Sequence, residues 1–448
     1  MLYRIFKFLF YFTTRAYFRS LYIKNKEVVP AKGPVVFAVN HTSAFMDPIL
    51  LATHIKRQLY FLSRGDAFKS GFSKWLFPKL HMIPVYRPDL FPNDTHKNKQ
   101  VFEKCFEHLE NKKTVMIFPE GISETVRRLR PIKTGISRIS LVAEERNNFE
   151  LGVVVIPIGI NYSNPHHFKS DVFVKFGDPI DIKDYKDRYF ENKKQTVLEL
   201  TEDIKSSLEK VTVNIENKDQ EKIIQQIEVL YRSRHRETKT EGHKAPIDFY
   251  LSQDIVTAVS YFSKNKPEQL KKLEEKMTSY LTNLKRLGIR DTQIRNENLI
   301  LKDPKTIFYF IFGFPFFLYG YIFNFIPFKS AEILAKKILV RADFVGSMKL
   351  GLGMFIFLIC YVIMTITLGV YTNFSWSILF LLTLYPVGLF TINYIKEYFQ
   401  VRGSLKFLFL KNRKKQLIQD LKVTRKNIVH ELESGKTEFE NYLADQKK

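Results

Sequence analysis

Two cysteines in 448 residues, Cys105 and Cys360, leave no room for a disulfide framework. Cys105 lies in a polar helix-patterned stretch and Cys360 inside an apolar run, so they do not read as a bridge, and a reducing compartment fits. Acidic residues are also scarce: 46 Asp and Glu face 70 Lys and Arg, a formal charge of +24. Such a surplus calls for an anionic partner, whether nucleic acid, a phosphate-bearing molecule or an acidic lipid surface. Zinc-finger spacing, helix-turn-helix signals and RNP-like aromatic motifs are all missing, which sets nucleic acid aside. A Gly-x-Ser-x-Gly elbow for a covalent serine is missing too. His166, His167 and Asp171 lack a recognised ligand spacing and read as solvated loop, so no metal is assigned. No internal repeat or low-complexity tract interrupts the chain. What it has in quantity is aromatic, 41 Phe and 22 Tyr, and such side chains gather where apolar and wet media meet.

The length exceeds one ordinary domain of about 100–200 residues, so several regions are expected. Residues 1–30 open on a basic, aromatic segment that Arg15 and Arg19 interrupt. With no small-residue cleavage site after it, it reads as a retained interfacial membrane helix, a short transmembrane span being the alternative. Across 31–190, β-rich runs at 35–39, 59–62, 115–118, 153–160 and 172–176 alternate with amphipathic helical patterns at 94–111 and 133–145. This alternation predicts an α/β domain with a central, mainly parallel sheet, and places ligands at strand ends. Residues 191–300 are charged and helix-patterned, with Leu270, Leu273, Met277, Leu281 and Leu284 on one face, a helical appendage.

Residues 301–400 hold three apolar segments, 307–328, 353–370 and 376–395, each near the roughly 20 residues a helix needs to cross a bilayer. Basic residues flank the last two on the outside and none lies between them, which predicts a transmembrane hairpin over 353–395 with both ends cytoplasmic. Pro315, Asn324 and Pro327 interrupt the first segment, so it is expected to be re-entrant or interfacial. The tail, 401–448, carries Leu417, Leu421, Ile428 and Leu432 at helical spacing. It reads as a helix returning to the soluble part, or as a short coiled coil.

Asn40-His41 is followed six residues later by Asp47. A histidine is the side chain best matched to taking a proton from an attacking hydroxyl near neutral pH, and a carboxylate on its other ring nitrogen fixes the tautomer. Six residues on a regular helix separate two side chains by about 120°, so the segment must turn, with His41 in a loop and Asp47 near a helix start. Taken alone, the pair better describes a surface histidine beside a capping aspartate.

Three more elements follow in order: Met82-Ile83-Pro84-Val85-Tyr86-Arg87, Phe118-Pro119-Glu120-Gly121, and Val155-Ile156-Pro157-Ile158-Gly159. With the His41 element they resemble the motifs of the glycerolipid acyltransferase family, which includes glycerol-3-phosphate and lysophosphatidate acyltransferases. The usual first motif is Asn-His-x4-Asp; the extra residue here resembles the His-x5-Asp branch found in some fungal glycerol-3-phosphate acyltransferases. Ile122-Ser123 in place of Thr-Arg, with Lys133-Thr134-Gly135 downstream, points to the same branch.

The resemblance implies that His41 and Asp47 are catalytic and that Arg87 binds the acceptor's phosphate. It implies that Glu120 and Gly121 shape the acceptor site, and that Pro157 contacts the acyl donor or is simply a buried strand residue. It implies a membrane-bound O-acyltransferase of phospholipid biosynthesis with its catalytic domain on the cytoplasmic face. It further implies acyl-CoA or acyl carrier protein as co-substrate, glycerol 3-phosphate or a lysophospholipid as acceptor, and no cofactor. A catalytically inactive lipid-binding scaffold on the same fold is the alternative. A small channel is disfavoured, because the apolar segments lack internal charge.

Overall fold

The computed structural model describes residues 1–86, 93, 95–235, 244–295, 304–338 and 341–446. The chain divides into two units, one of residues 1–216 and 332–354, the other of 217–331 and 355–448.

The first unit begins with helix α1 (Leu2–Tyr17), whose outward face carries Ile5, Phe8 and Phe12 while Thr14 and Tyr17 turn inward. Lys7 anchors it by donating to the Ile55 carbonyl at 2.6 Å. Among the described residues eight strands follow: β1 (Ser20–Lys24), β2 (Val35–Val39), β3 (Leu59–Arg64), β4 (Met82–Val85), β5 (Thr114–Ile117), β6 (Val154–Tyr162), β7 (Asp171–Phe176) and β8 (Ile180–Asp181). They form one sheet in the order β1-β7-β6-β2-β5-β3-β4, with β8 paired to β6. The pairings from β6 through β2, β5 and β3 to β4 are all parallel; β6–β7 and β6–β8 are antiparallel. β1, which lies in the stretch read as an interfacial helix, is a sheet strand that pairs parallel to β7.

β2 is central and buried along its whole length. The two-residue period of a strand sends Val36 and Ala38 into one core, and Val35, Phe37 and Val39 into the other. The first core is closed by α4 (Asn98–Glu110), α5 (Gly135–Glu145) and α7 (Lys193–Val211), the second by α1 and α2 (Met46–His54). The short helices α3 (Gly71–Lys79) and α6 (Lys186–Glu191) complete the layers. Both faces of a parallel sheet need such cover, which explains why its strands read as continuous apolar runs.

The second unit is helical: α8 (Glu221–His235), α9 (Lys244–Asn265), α10 (Pro267–Leu287), α11 (Asp291–Arg295), α12 (Pro304–Ile338), α13 (Val345–Tyr371), α14 (Phe374–Arg413) and α15 (Lys415–Gln446). The end of α12 and the first turns of α13 belong to the first unit. α15 packs on α10 and α11, where Arg425 holds the buried Asp291 at 2.8 Å and Tyr280 donates to the same carboxylate at 2.6 Å. Among the described residues, α12, α13 and α14 are long and apolar enough to cross a membrane.

The interruption expected in the first apolar segment is not seen, since α12 runs unbroken through Pro315, Asn324 and Pro327. Asn324 sends its amide to the carbonyls of Gly320 (2.9 Å) and Leu384 (3.4 Å), and Gly320 lets α14 approach so closely that a Cβ there would lie 2.2 Å from Thr391 Oγ1. Neighbouring helices and polar side chains of this kind let membrane-length helices tolerate proline.

Candidate active site

The parallel strands bring several chain segments to one edge of the sheet: Asn40-His41 after β2, Phe118 to Gly121 after β5, and the end of β6. Asn40 does the first work. Its side-chain amide copies a peptide unit, donating to Ile160 O at 3.1 Å and accepting from Ile160 N at 2.7 Å, so β2 keeps its pairing with β6 while the backbone leaves the sheet.

His41 therefore emerges at a fixed place. Its N–H is held by Glu120 Oε1 at 2.8 Å, its carbonyl accepts from Glu124 N and Arg130, and its ring stacks on Phe118 with centroids 4.0 Å apart. His41 Nδ1 lies 2.8 Å from Asp47 Oδ2.

Asp47 sits in the first turn of α2, fully buried, and four donors converge on it. Oδ2 receives His41 Nδ1–H and the backbone N–H groups of Thr42 (2.9 Å) and Ser43 (2.8 Å); Oδ1 receives the Tyr162 hydroxyl at 2.8 Å. With only acceptor atoms facing it, Nδ1 carries the proton and Nε2 the lone pair. Burial, then the Asp47 charge, raises the Tyr162 phenol well above its ordinary range, so it remains a donor.

His41 borders a cavity of about 600 Å³ with mainly apolar walls, among them Phe45, Phe61, Val85, Phe102, Phe118 and Phe344. Arg64, Lys133 and Arg341 line it as well. Arg64 is paired with Asp66 and Arg341 with Asp343, whereas the Lys133 ammonium has no ion-pair partner among the described residues.

The sequence-predicted residues are placed in four ways. His41 and Gly121 line the cavity, with Asp47 buried behind His41, and Gly121 adopts φ +73° with the Lys133 side chain against it. Glu120 adjoins them but faces away from the cavity: its carboxylate holds the His41 backbone and Arg130 Nε (2.9 Å), a buried ion pair under the loop. Pro157 is buried in β6 opposite Ala38, its ring against Gly177, and does not reach the cavity wall. Arg87 lies outside the described residues. Asp171, expected on a solvated loop, begins β7, is buried, and holds Arg19 in a two-point ion pair. Cys105 is buried in α4, where desolvation pushes its thiol up to about 12. A thiol so protonated at neutral pH is no nucleophile.

Sequence reasoning missed Tyr162, Ser123 and Arg130 as parts of the site, and a fourth contributor, Ser347, from the start of α13. Tyr162 had one usable signal, its position at the end of a strand that leaves the sheet at the same edge as His41.

The family model described as Acyltransferase matches residues 20–161, the stretch from β1 to the end of β6. Residues 20–161 belong to the acyltransferase family. The acyltransferase match thus stops one residue before Tyr162 and far short of Ser347.

Glycerol-3-phosphate O-acyltransferase 1 of Saccharomyces cerevisiae is 23% identical over 427 residues, covering 75% of this chain and 55% of that protein. Glycerol-3-phosphate O-acyltransferase 2 of the same yeast is 34% identical over 136 residues, 30% of this chain and 18% of that protein. The chain spans about half the length of the first of these relatives and less of the second. Among solved structures, the 1-acyl-sn-glycerophosphate (LPA) acyltransferase PlsC from Thermotoga maritima is 20% identical with a TM-score of 0.34, covering 46% of this chain and 78% of that one.

Proposed function

We propose that this protein transfers a fatty acyl group from a thioester of coenzyme A or acyl carrier protein to glycerol 3-phosphate or a lysophospholipid at a membrane. The observation that carries the reading is the 2.8 Å His41–Asp47 pair set against a large apolar-walled cavity. Cavities of this size suit long apolar ligands. Glycerol 3-phosphate is the first acceptor to try, since the two yeast relatives are named for it.

In the reaction, the acceptor's hydroxyl oxygen attacks the thioester carbonyl carbon while its proton passes to His41 Nε2. Asp47 steadies the imidazolium that forms. The tetrahedral intermediate collapses, the C–S bond breaks, and the leaving thiolate takes the proton back from Nε2. The products are an ester and a free thiol, with His41 restored. Lys133, and Arg87 by the motif resemblance, would face the acceptor's phosphate, a role suited to fixed cations. Membrane association is supported by α12, α13 and α14 and by the outward aromatic face of α1. The basic flanks of α13 and α14 favour a cytoplasmic catalytic unit.

The test is to incubate purified full-length protein with long-chain acyl-CoA and either acceptor, comparing wild type with His41→Ala and Arg87→Ala. Transfer that needs His41 is expected, with Arg87→Ala raising the acceptor KM. Folded wild type that transfers to neither acceptor would refute the reading and leave the lipid-binding scaffold.

A further inference from the structure

The His41–Asp47 segment contains a backbone residue that ought not to be there. Ala44 adopts φ +36°, a left-handed conformation that alanine rarely takes and that persists only where the surroundings over-determine it. It lies in a turn closed by Met46 N–H donating to Ser43 O at 2.8 Å. The backbone just before it supplies the Thr42 and Ser43 N–H groups that orient Asp47.

Two serines from distant parts of the chain grip this turn. Ser123 Oγ accepts the Ala44 N–H at 2.7 Å. Ser347, buried, donates its hydroxyl to Ser43 O at 2.8 Å and accepts from Met46 N at 3.0 Å. Ser347 stands in the first turn of α13, yet these bonds serve the turn and none caps its own helix. Its neighbours fix its place. Arg341 donates to Ser123 O at 3.0 Å, and Phe344 meets Phe45 edge-on. Gly346 lies so close to the 165 loop that a Cβ would fall 2.2 Å from Pro165 O, and Lys349 donates to His166 O at 3.1 Å.

We propose that Ser347, together with Ser123, is a positioning residue of the acyl-transfer reaction. It holds the left-handed turn at Ala44 so that the Asp47 carboxylate meets His41 Nδ1. The proposal rests on the reading of His41 as the general base. It adds to that reading a contribution from a segment far outside the family match.

A double-mutant cycle on the full-length protein tests it, using wild type, Ser347→Ala, Ala44→Gly and the pair. Glycine takes positive φ at no steric cost, so the turn then needs no grip. Removing the hydroxyl from wild type should lower kcat about ten- to hundredfold, the worth of one or two buried hydrogen bonds, with KM for both substrates within about twofold. In the Ala44→Gly background the same change should cost less than about threefold, because the two positions are coupled. An equal loss in both backgrounds, or a rise in KM with kcat unchanged, would overturn the proposal, since a merely structural serine behaves so.

The rate at which diethyl pyrocarbonate modifies His41, located by mass spectrometry, gives a readout that needs no turnover. Acylation at Nε2 builds the same imidazolium charge that Asp47 steadies, so Ser347→Ala should slow it severalfold, and the second substitution should reverse the effect. If wild type transfers nothing, the functional reading fails; if the modification rate ignores Ser347, the positioning role fails on its own.

Discussion

Replacing Asp47 by asparagine separates the charge of this residue from its shape. Its Oδ2 faces three donors, His41 Nδ1–H and the N–H groups of Thr42 and Ser43, while Oδ1 faces only the Tyr162 hydroxyl, which can rotate to accept. An asparagine must therefore place its oxygen at the Oδ2 position. The opposite orientation would set an NH2 group against three buried donors, each costing about 1–3 kcal/mol. Held this way, the amide keeps the Nε2 lone pair aimed at the cavity, and only the charge opposite the imidazolium is lost.

A hydrogen bond to a charged partner is worth about 1.5–3 kcal/mol against about 1 for a neutral one, so the transition state loses on the order of 1–2 kcal/mol, or about five- to thirtyfold in kcat. Initial rates of acyl transfer to glycerol 3-phosphate, alongside a thermal melt to confirm folding, measure it. A loss near 10⁴-fold, as follows when an asparagine imposes the wrong tautomer in a serine-protease triad, would refute the argument that the backbone donors set the amide's orientation. An undiminished rate would refute the role of the charge.

Tyr162→Phe leaves Asp47 Oδ1 buried without its donor and should lower kcat about tenfold with KM steady, read from steady-state kinetics. Glu120→Gln removes one partner of a buried ion pair beneath the His41 loop and should destabilise the first unit by about 3 kcal/mol, seen as a lower denaturant midpoint. His108 is pushed down to about 4 by burial, with Lys113, His81 and Lys104 adding to the effect. The unfolded chain thus takes up this proton below the ordinary histidine value of about 6.5 while the folded chain refuses it until about 4, and stability falls as pH drops through that window. His108→Gln should flatten the fall, measured as the difference in Tm between pH 7 and pH 5.

The sheet was legible because its central parallel strands, β2, β5 and β6, are buried on both faces. β2, β3, β5, β6 and β7 appear in the sequence as short apolar runs, and α4 and α5 as amphipathic stretches between them. β1 was hidden by its neighbours, since it follows a helix rich in Phe and Tyr and is only partly buried along its five residues. The His41–Asp47 pair could be named only beside the three motifs that follow it, and its spacing says nothing of what bends the chain between them. That work falls to Ser123 and Ser347, whose partners lie 79 and 301 residues away, so no local pattern marks them. Glu120 shows the converse, a residue conspicuous in the sequence whose carboxylate faces the protein's own backbone and Arg130. That α12 runs unbroken was not legible, because a proline is read as a break, while the close contacts of Gly320 and Asn324 with α14 are not local.

That the first unit takes in residues 332–354 bears on the order in which the protein is made. Synthesis runs from the N-terminus, so the whole sheet and His41 leave the ribosome before Ser347 exists. Until residue 354 has emerged, the turn at Ala44 lacks one of its two grips and the core beside β2 lacks Leu350. α12, the first helix of membrane length, is complete by then. The chain therefore completes the turn at Ala44 only after that helix has been translated, and a nascent chain released early would carry residues 20–161 with that turn held by Ser123 alone.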